Sequence, residues 1–96
     1  MHEIRKTDNY AQWLDSLKDI QARARILSRV ERLAGGNAGD VKAVGEGVSE
    51  LRIDYGPGYR VYYTVRKQSI IILLAGGDKR SQPTDIKTAL RLARNL

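Results

Sequence analysis

Arg52 and Arg60 lie in the run Glu50-Leu-Arg-Ile-Asp-Tyr-Gly-Pro-Gly-Tyr-Arg-Val-Tyr-Tyr63, and a second basic pair, Lys79-Arg80, follows downstream. Arginine matches the geometry of a phosphate group with two parallel N–H donors. Arg52, Arg60, Lys79 and Arg80 therefore suit the task of stabilising charge that builds on phosphoryl oxygens. Cleaving a phosphodiester by attack of a neighbouring hydroxyl would need two further things. A group must take the proton of the attacking hydroxyl, and the departing oxygen must gain one. Glu50, Asp54 and Tyr62 share the polar face with the arginines and are candidates. A carboxylate at its ordinary pKa is a weak base for a hydroxyl, and cations near Glu50 work against raising it. A lysine among like charges is the other route, and Lys79 is that candidate.

The elements that must position these groups are legible. Leu51 and Ile53 alternate with Glu50, Arg52 and Asp54, and Tyr59, Val61 and Tyr63 alternate with Arg60 and Tyr62. Period two with β-branched and aromatic residues predicts two strands, and Gly56-Pro57-Gly58 predicts the turn between them. A slip of one residue would put arginine among the apolar side chains. The consistent register pairs Ile53 with Tyr59, Leu51 with Val61, Arg52 with Arg60 and Glu50 with Tyr62. Like charges directly opposite each other are unfavourable. The Arg52–Arg60 pair is tolerable if flanking carboxylates neutralise it or if it holds an anion. A solvated charged face is the other reading.

Upstream, residues 2–6 predict a short strand with Ile4 inward. Thr7 or Asp8 is the expected N-cap of a helix carrying Tyr10, Trp13, Leu14 and Leu17 on one stripe. Trp13 reads there as a packing residue. A second helix fits residues 20–34, with Ala22, Ile26, Val30 and Leu33 inward and Gly35-Gly36 as its stop. Arg25, Arg29 and Arg32 share a flank of it. That flank reads as a solvated face or as a docking surface for RNA or an acidic partner. Lys42 to Gly47 lead from a loop into the hairpin.

Lys67-Gln68-Ser69 predicts a tight turn, and the apolar run Ile70–Ala75 a strand covered on both faces. Gly76-Gly77 then predicts a sharp turn that presents Lys79 and Arg80. Pro83 opens a last helix with Ile86, Ala89, Leu90, Ala93 and Leu96 on its apolar face and Lys87, Arg91 and Arg94 on its basic one. The expected class is α+β, in the order β-α-α-β-β-β-α, as one domain over 1–96.

Lys and Arg number 17 against 11 Asp and Glu, a net charge of +6. So positive a small chain suits nucleic acid, an acidic protein or an anionic surface. Cysteine is absent and His2 is the single histidine, so a thiolate or His-based metal site and a His-centred triad are not expected. No apolar run approaches the ~20 residues of a membrane span. The N-terminal residues lack an apolar signal core, so a cytoplasmic protein is expected.

The hairpin 50–63 and the segment Leu73-Leu-Ala-Gly-Gly-Asp-Lys-Arg-Ser-Gln-Pro-Thr-Asp-Ile86 resemble the HigB-like addiction-module killer proteins of the RelE/ParE toxin superfamily. The resemblance implies a RelE/ParE-like fold, a small antiparallel sheet with an N-terminal helical hairpin and a C-terminal helix. It implies the toxin of a bacterial type II toxin–antitoxin module. Many relatives are ribosome-dependent, metal-free mRNA endoribonucleases that need no cofactor. The ParE branch instead poisons DNA gyrase. A non-catalytic basic module in an antitoxin complex is the third reading.

The implied partners are mRNA, the ribosome and a cognate antitoxin, usually of helix-turn-helix type, in a hetero-oligomer. By this resemblance Arg60, Lys79 and Arg80 are catalytic candidates, and the chemistry of the hairpin's polar face adds Glu50 to them. Arg52, Tyr62, Arg25, Arg29 and Arg32 are the RNA-binding ones. Ribonuclease relatives often carry Tyr or His near the start of the last helix, where this chain has Thr84-Asp85-Ile86.

Overall fold

A computed structural model describes residues 2–96. The elements are β1 (Glu3–Lys6), α1 (Asp8–Ser16), α2 (Ile20–Ala34), β2 (Val41–Gly45), β3 (Val48–Ile53), β4 (Tyr59–Arg66), β5 (Ile70–Asp78) and α3 (Gln82–Arg94). They form one sheet in the order β1-β5-β4-β3-β2. The α+β class holds, with two refinements. The sheet is mixed, because β1 runs parallel to β5. It also has an extra strand, β2, antiparallel to β3. Val41–Gly45 gives little strand signal because it is an edge whose side chains are mostly exposed. The turn that joins it to β3 holds Glu46 at φ 52, and Arg94 of α3 grips the Glu46 carboxylate with two hydrogen bonds.

The predicted hairpin register is the observed one: Glu50 opposite Tyr62, Leu51 opposite Val61, Arg52 opposite Arg60, Ile53 opposite Tyr59. Leu51, Ile53, Val61 and Tyr63 join Ile71 and Leu73 under α1 and α2, against Tyr10, Leu14, Ile26, Val30 and Leu33. Ile4 was expected inward, but β1 is exposed along its length. The helices pack over β3–β5, and β1 is held at the rim by its pairing with β5.

The opposite face is not simply solvated. Val48, Tyr62, Leu74 and Ala75 form a second core with Ala89 and Ala93 of α3. Leu96, expected on that helix face, lies past the helix end and is exposed.

A bulge in β5 sets the phase of this second face. Tyr62 pairs with Ala75 and Tyr63 with Leu73, leaving Leu74 as the extra residue. Leu74 and Ala75 therefore both turn toward α3. Thr7 fixes the bulge. Its hydroxyl donates to the Leu74 carbonyl at 2.6 Å and accepts from the Tyr10 N–H, capping α1.

Past the bulge, Gly76 and Gly77 are still strand, not the sharp turn expected of them. They are glycines for want of space. A Cβ on Gly76 would enter the Trp13 ring, and one on Gly77 would meet the Asp85 carboxylate and the Ser81 hydroxyl. Gly76→Ala should lower stability by ~1–3 kcal/mol, the usual effect of overpacking, read from the urea midpoint. An unchanged midpoint would mean that Trp13 moves aside freely.

Candidate anion-binding site

The site grows from the cross-strand pair Arg52–Arg60. Both side chains rise on the α3 face, and what keeps them there is Glu50. Its side chain is 0% exposed. Arg52 Nε donates to its Oε1 at 3.0 Å, and the Arg60 Nε stands 3.7 Å from the same oxygen. Its Oε2 accepts from Tyr62 Oη at 3.1 Å and from Gln82 Nε2 at 2.6 Å. Burial by itself would push the Glu50 carboxyl up. The hydrogen bonds from Arg52, Gln82 and Tyr62 and the Arg60 charge outweigh it and hold the group below the usual carboxylate range.

One carboxylate thus neutralises one of two neighbouring guanidinium groups. The cluster retains a positive charge. Arg60 Nε is buried without a hydrogen-bond partner, and Arg60 Nη1 reaches the Gly58 and Tyr59 carbonyls only at 3.4 and 3.3 Å.

Above the pair opens a cleft of about 370 Å³, walled by Arg52, Arg60 and Lys79, the Gly56-Pro57-Gly58 turn, and Asp40 and Asp54. Lys79 reaches this wall because its loop is stiffened. Asp78 accepts the N–H groups of Arg80 and Ser81 through Oδ1, at 2.9 and 3.2 Å. Burial alone would raise the Asp78 carboxyl, but these two bonds and the Arg80 charge bring it below its ordinary value. Ser81 Oγ donates to Asp85, whose carboxyl is pushed up by burial, against the Ser81 bond, with Asp78 adding to the rise.

The sequence candidates separate as follows. Arg52, Arg60 and Lys79 share one cleft. Arg80 points outward, its side chain 86% exposed and paired with Asp78 at 3.5 Å. Glu50 was offered as a proton acceptor. It is instead buried, charged and surrounded by donors, which makes it an anchor for the arginines. Tyr62 was offered as an RNA contact. It is 0% exposed beneath the cluster, with burial, then the Glu50 charge and hydrogen bond, pushing its hydroxyl pKa well up. It bears on Glu50 and presents no face to a base. Arg25, Arg29 and Arg32 line a separate cleft on α2.

Sequence reasoning missed Gln82. A signal existed: Gln82, Ile86, Ala89 and Ala93 recur at helical spacing, so one polar residue begins the apolar stripe of α3. Among the described residues, no three His, Asp or Glu side chains gather as a metal-binding set.

Comparison with solved structures finds the same fold in a mutant of the E. coli toxin RelE in the free state. The TM-score is 0.73 at 15% identity, over 94% of this chain and 95% of that one. An uncharacterized protein of Haemophilus influenzae is 48% identical over 94 residues, 98% of this chain and 95% of the relative. Residues 12–96 match the description of the phage derived protein Gp49-like family (DUF891), and the chain belongs to that family.

Proposed function

We propose that this protein is a HigB-like toxin of a type II toxin–antitoxin module, a ribosome-dependent mRNA endoribonuclease that works without a metal ion. The observation that carries this reading is the Glu50-anchored arginine pair in the wall of an open cleft that Lys79 also lines. The likeness of the fold to RelE supports it.

In this mechanism the scissile phosphate lies against Arg52 and Arg60. The 2′-hydroxyl gives up its proton as its oxygen attacks phosphorus, the bond to the 5′-oxygen breaks, and that oxygen takes up a proton, so the products end in a 2′,3′-cyclic phosphate and a 5′-hydroxyl. The two guanidinium groups take up charge on the equatorial oxygens as the pentavalent state forms. They are held before substrate arrives, so little reorganisation accompanies the reaction. Lys79 stands at the cleft wall as the proton-transfer candidate. Arg80 is an exposed cation outside the cleft wall, paired with Asp78. The ribosome orders the mRNA for in-line attack, which supplies part of the acceleration through positioning.

A cognate antitoxin of helix-turn-helix type would mask the cleft. A second reading is a gyrase-directed or purely binding module. It is favoured by the sequence Thr84-Asp85-Ile86, which brings no Tyr or His to the start of α3. Inducing the chain alone in bacteria and mapping RNA ends tests the choice. Growth arrest with new 5′-hydroxyl ends within translated codons is expected, with rescue by the small gene next to it. Gyrase-linked DNA breaks without RNA ends would replace the first reading by the second.

A further inference from the structure

A second cleft, of about 300 Å³, adjoins the first. Arg25, Ser28, Arg29 and Arg32 of α2 form one wall, and Ile53 and Asp54 of the hairpin form the other. Ile53 and Asp54 also line the first cleft, so the two share a ridge.

The three arginines are not alike. Arg29 is a tie: Nη1 donates to the Arg52 carbonyl and Nη2 to the Ala38 carbonyl at 3.0 Å, fastening α2 to the strand that carries Arg52. Its Nε is buried without a partner, and its charge meets only carbonyl dipoles. Arg25 lies over the Tyr55 ring, 4.8 Å from its centroid. The Tyr55 hydroxyl donates to Asp19, the N-cap of α2, at 3.1 Å. The ring is therefore fixed, and it holds the Arg25 guanidinium in place. Arg32 extends from the next turns of the same flank. Among the described residues none of these arginines makes an ion pair within 4.0 Å.

We propose that this cleft is a second phosphate subsite for single-stranded RNA, in which Arg25 and Arg32 receive a backbone phosphate flanking the scissile one. The proposal rests on the ribonuclease reading above. A polyanion long enough to occupy both clefts must cross the ridge. Asp54 repels phosphate there, so phosphates settle on either side of it. The base that crosses presents N–H donors that a carboxylate can accept. Arg29 fixes the distance between the two cation sets. An acidic protein segment could pair with Arg25 and Arg32, but it would have no reason to continue into the Arg52–Arg60 cleft.

The test uses 2′-O-methyl oligoribonucleotides, which cannot be cleaved because the nucleophile is blocked. Lengths of about three, six and nine nucleotides bracket one and two clefts. Binding to the purified chain is followed by fluorescence anisotropy over a salt series. Wild type should gain affinity when the oligomer becomes long enough for both clefts. Arg25→Ala with Arg32→Ala should lose that gain. The slope of log K against log salt should become shallower by ~0.7, for the one phosphate that this pair neutralises. Arg25→Lys with Arg32→Lys should keep most of the gain, since a point charge still binds phosphate. An unchanged unfolding midpoint in the double alanine variant ties the loss to the subsite.

Equal length dependence and equal salt slope in wild type and the double alanine variant overturn the subsite and leave the ribonuclease reading standing. The same result together with lost antitoxin binding assigns the flank to the partner, and also overturns it. No binding of any oligomer by wild type overturns the subsite, while the ribonuclease reading stands or falls with the RNA ends mapped in bacteria.

Discussion

Arg60→Ala should abolish growth inhibition while the protein stays folded. Arg60 is 87% buried at the side chain, by its 13% exposure, and is placed on the cleft wall by the central strand. In the proposed mechanism it meets charge that exists only as the phosphorane forms. Loss of one such donor in a preorganised site lowers turnover by ~10²–10³-fold. Arg60→Lys should rescue little, because an ammonium has no bidentate fork.

The effect on stability should be smaller. Without Arg60, Glu50 keeps the hydrogen bonds from Arg52, Tyr62 and Gln82. The loss of packing and of a weak ion pair should come to ~1–2 kcal/mol, offset in part by removing the like charge opposite Arg52. Growth inhibition and thermal unfolding measured on the same variant separate the roles. A folded, fully inhibitory Arg60→Ala protein would sink the catalytic assignment.

Glu50→Ala should be the most destabilising single change in the site. It would leave Arg52 and Arg60 side by side without a counter-charge, and would strip Tyr62 Oη and Gln82 Nε2 of their acceptor. Breaking a buried pair from one side costs ~3–5 kcal/mol, a large share of the ~5–15 kcal/mol that holds a domain together.

The pH dependence has a definite sign. The folded-state pKa of Glu50 lies below its ordinary value of 4.5. The stabilisation is therefore present above that ordinary value and is lost as pH falls through the folded-state pKa. Wild type should lose stability through this acid range, and Glu50→Gln should start lower and show a flatter profile there. Urea unfolding across the carboxylate range reads both. A Glu50→Ala protein as stable as wild type would show that the arginines find other partners or leave the face.

Much of the framework was written in local pattern. The alternation through 50–63 fixed the hairpin register because a slip would have exchanged Leu51 and Ile53 for Arg52 and Asp54 at the core. Thr7 marked the start of α1 through a side-chain oxygen that accepts a free N–H, and Gly35-Gly36 the end of α2, where Gly36 takes φ 96. β2 was not legible, since an exposed edge strand places no periodic demand on its side chains. Gly76 and Gly77 misled for a definite reason. Glycine signals either conformational freedom or close approach, and only the positions of Trp13 and Asp85 show that approach is what these two serve.

The sequence by itself determined which residue types face the same way on the hairpin: Arg52 beside Arg60, with Glu50 and Tyr62 next to them. That follows from the two-residue period of a strand, which needs no knowledge of the rest of the chain. The tertiary structure decided what each of them can do. The bulge at Leu74 and the packing of α3 across this face bury Glu50 and Tyr62 and bring in Gln82, a residue far along the chain. Burial turns a carboxylate that would be a solvated base into a charged anchor, because its hydrogen bonds and neighbouring cations outweigh its desolvation. The same packing leaves Arg52 and Arg60 at the cleft and Arg80 in solvent. Those outcomes depend on contacts between residues distant in sequence, and no local spacing encodes them.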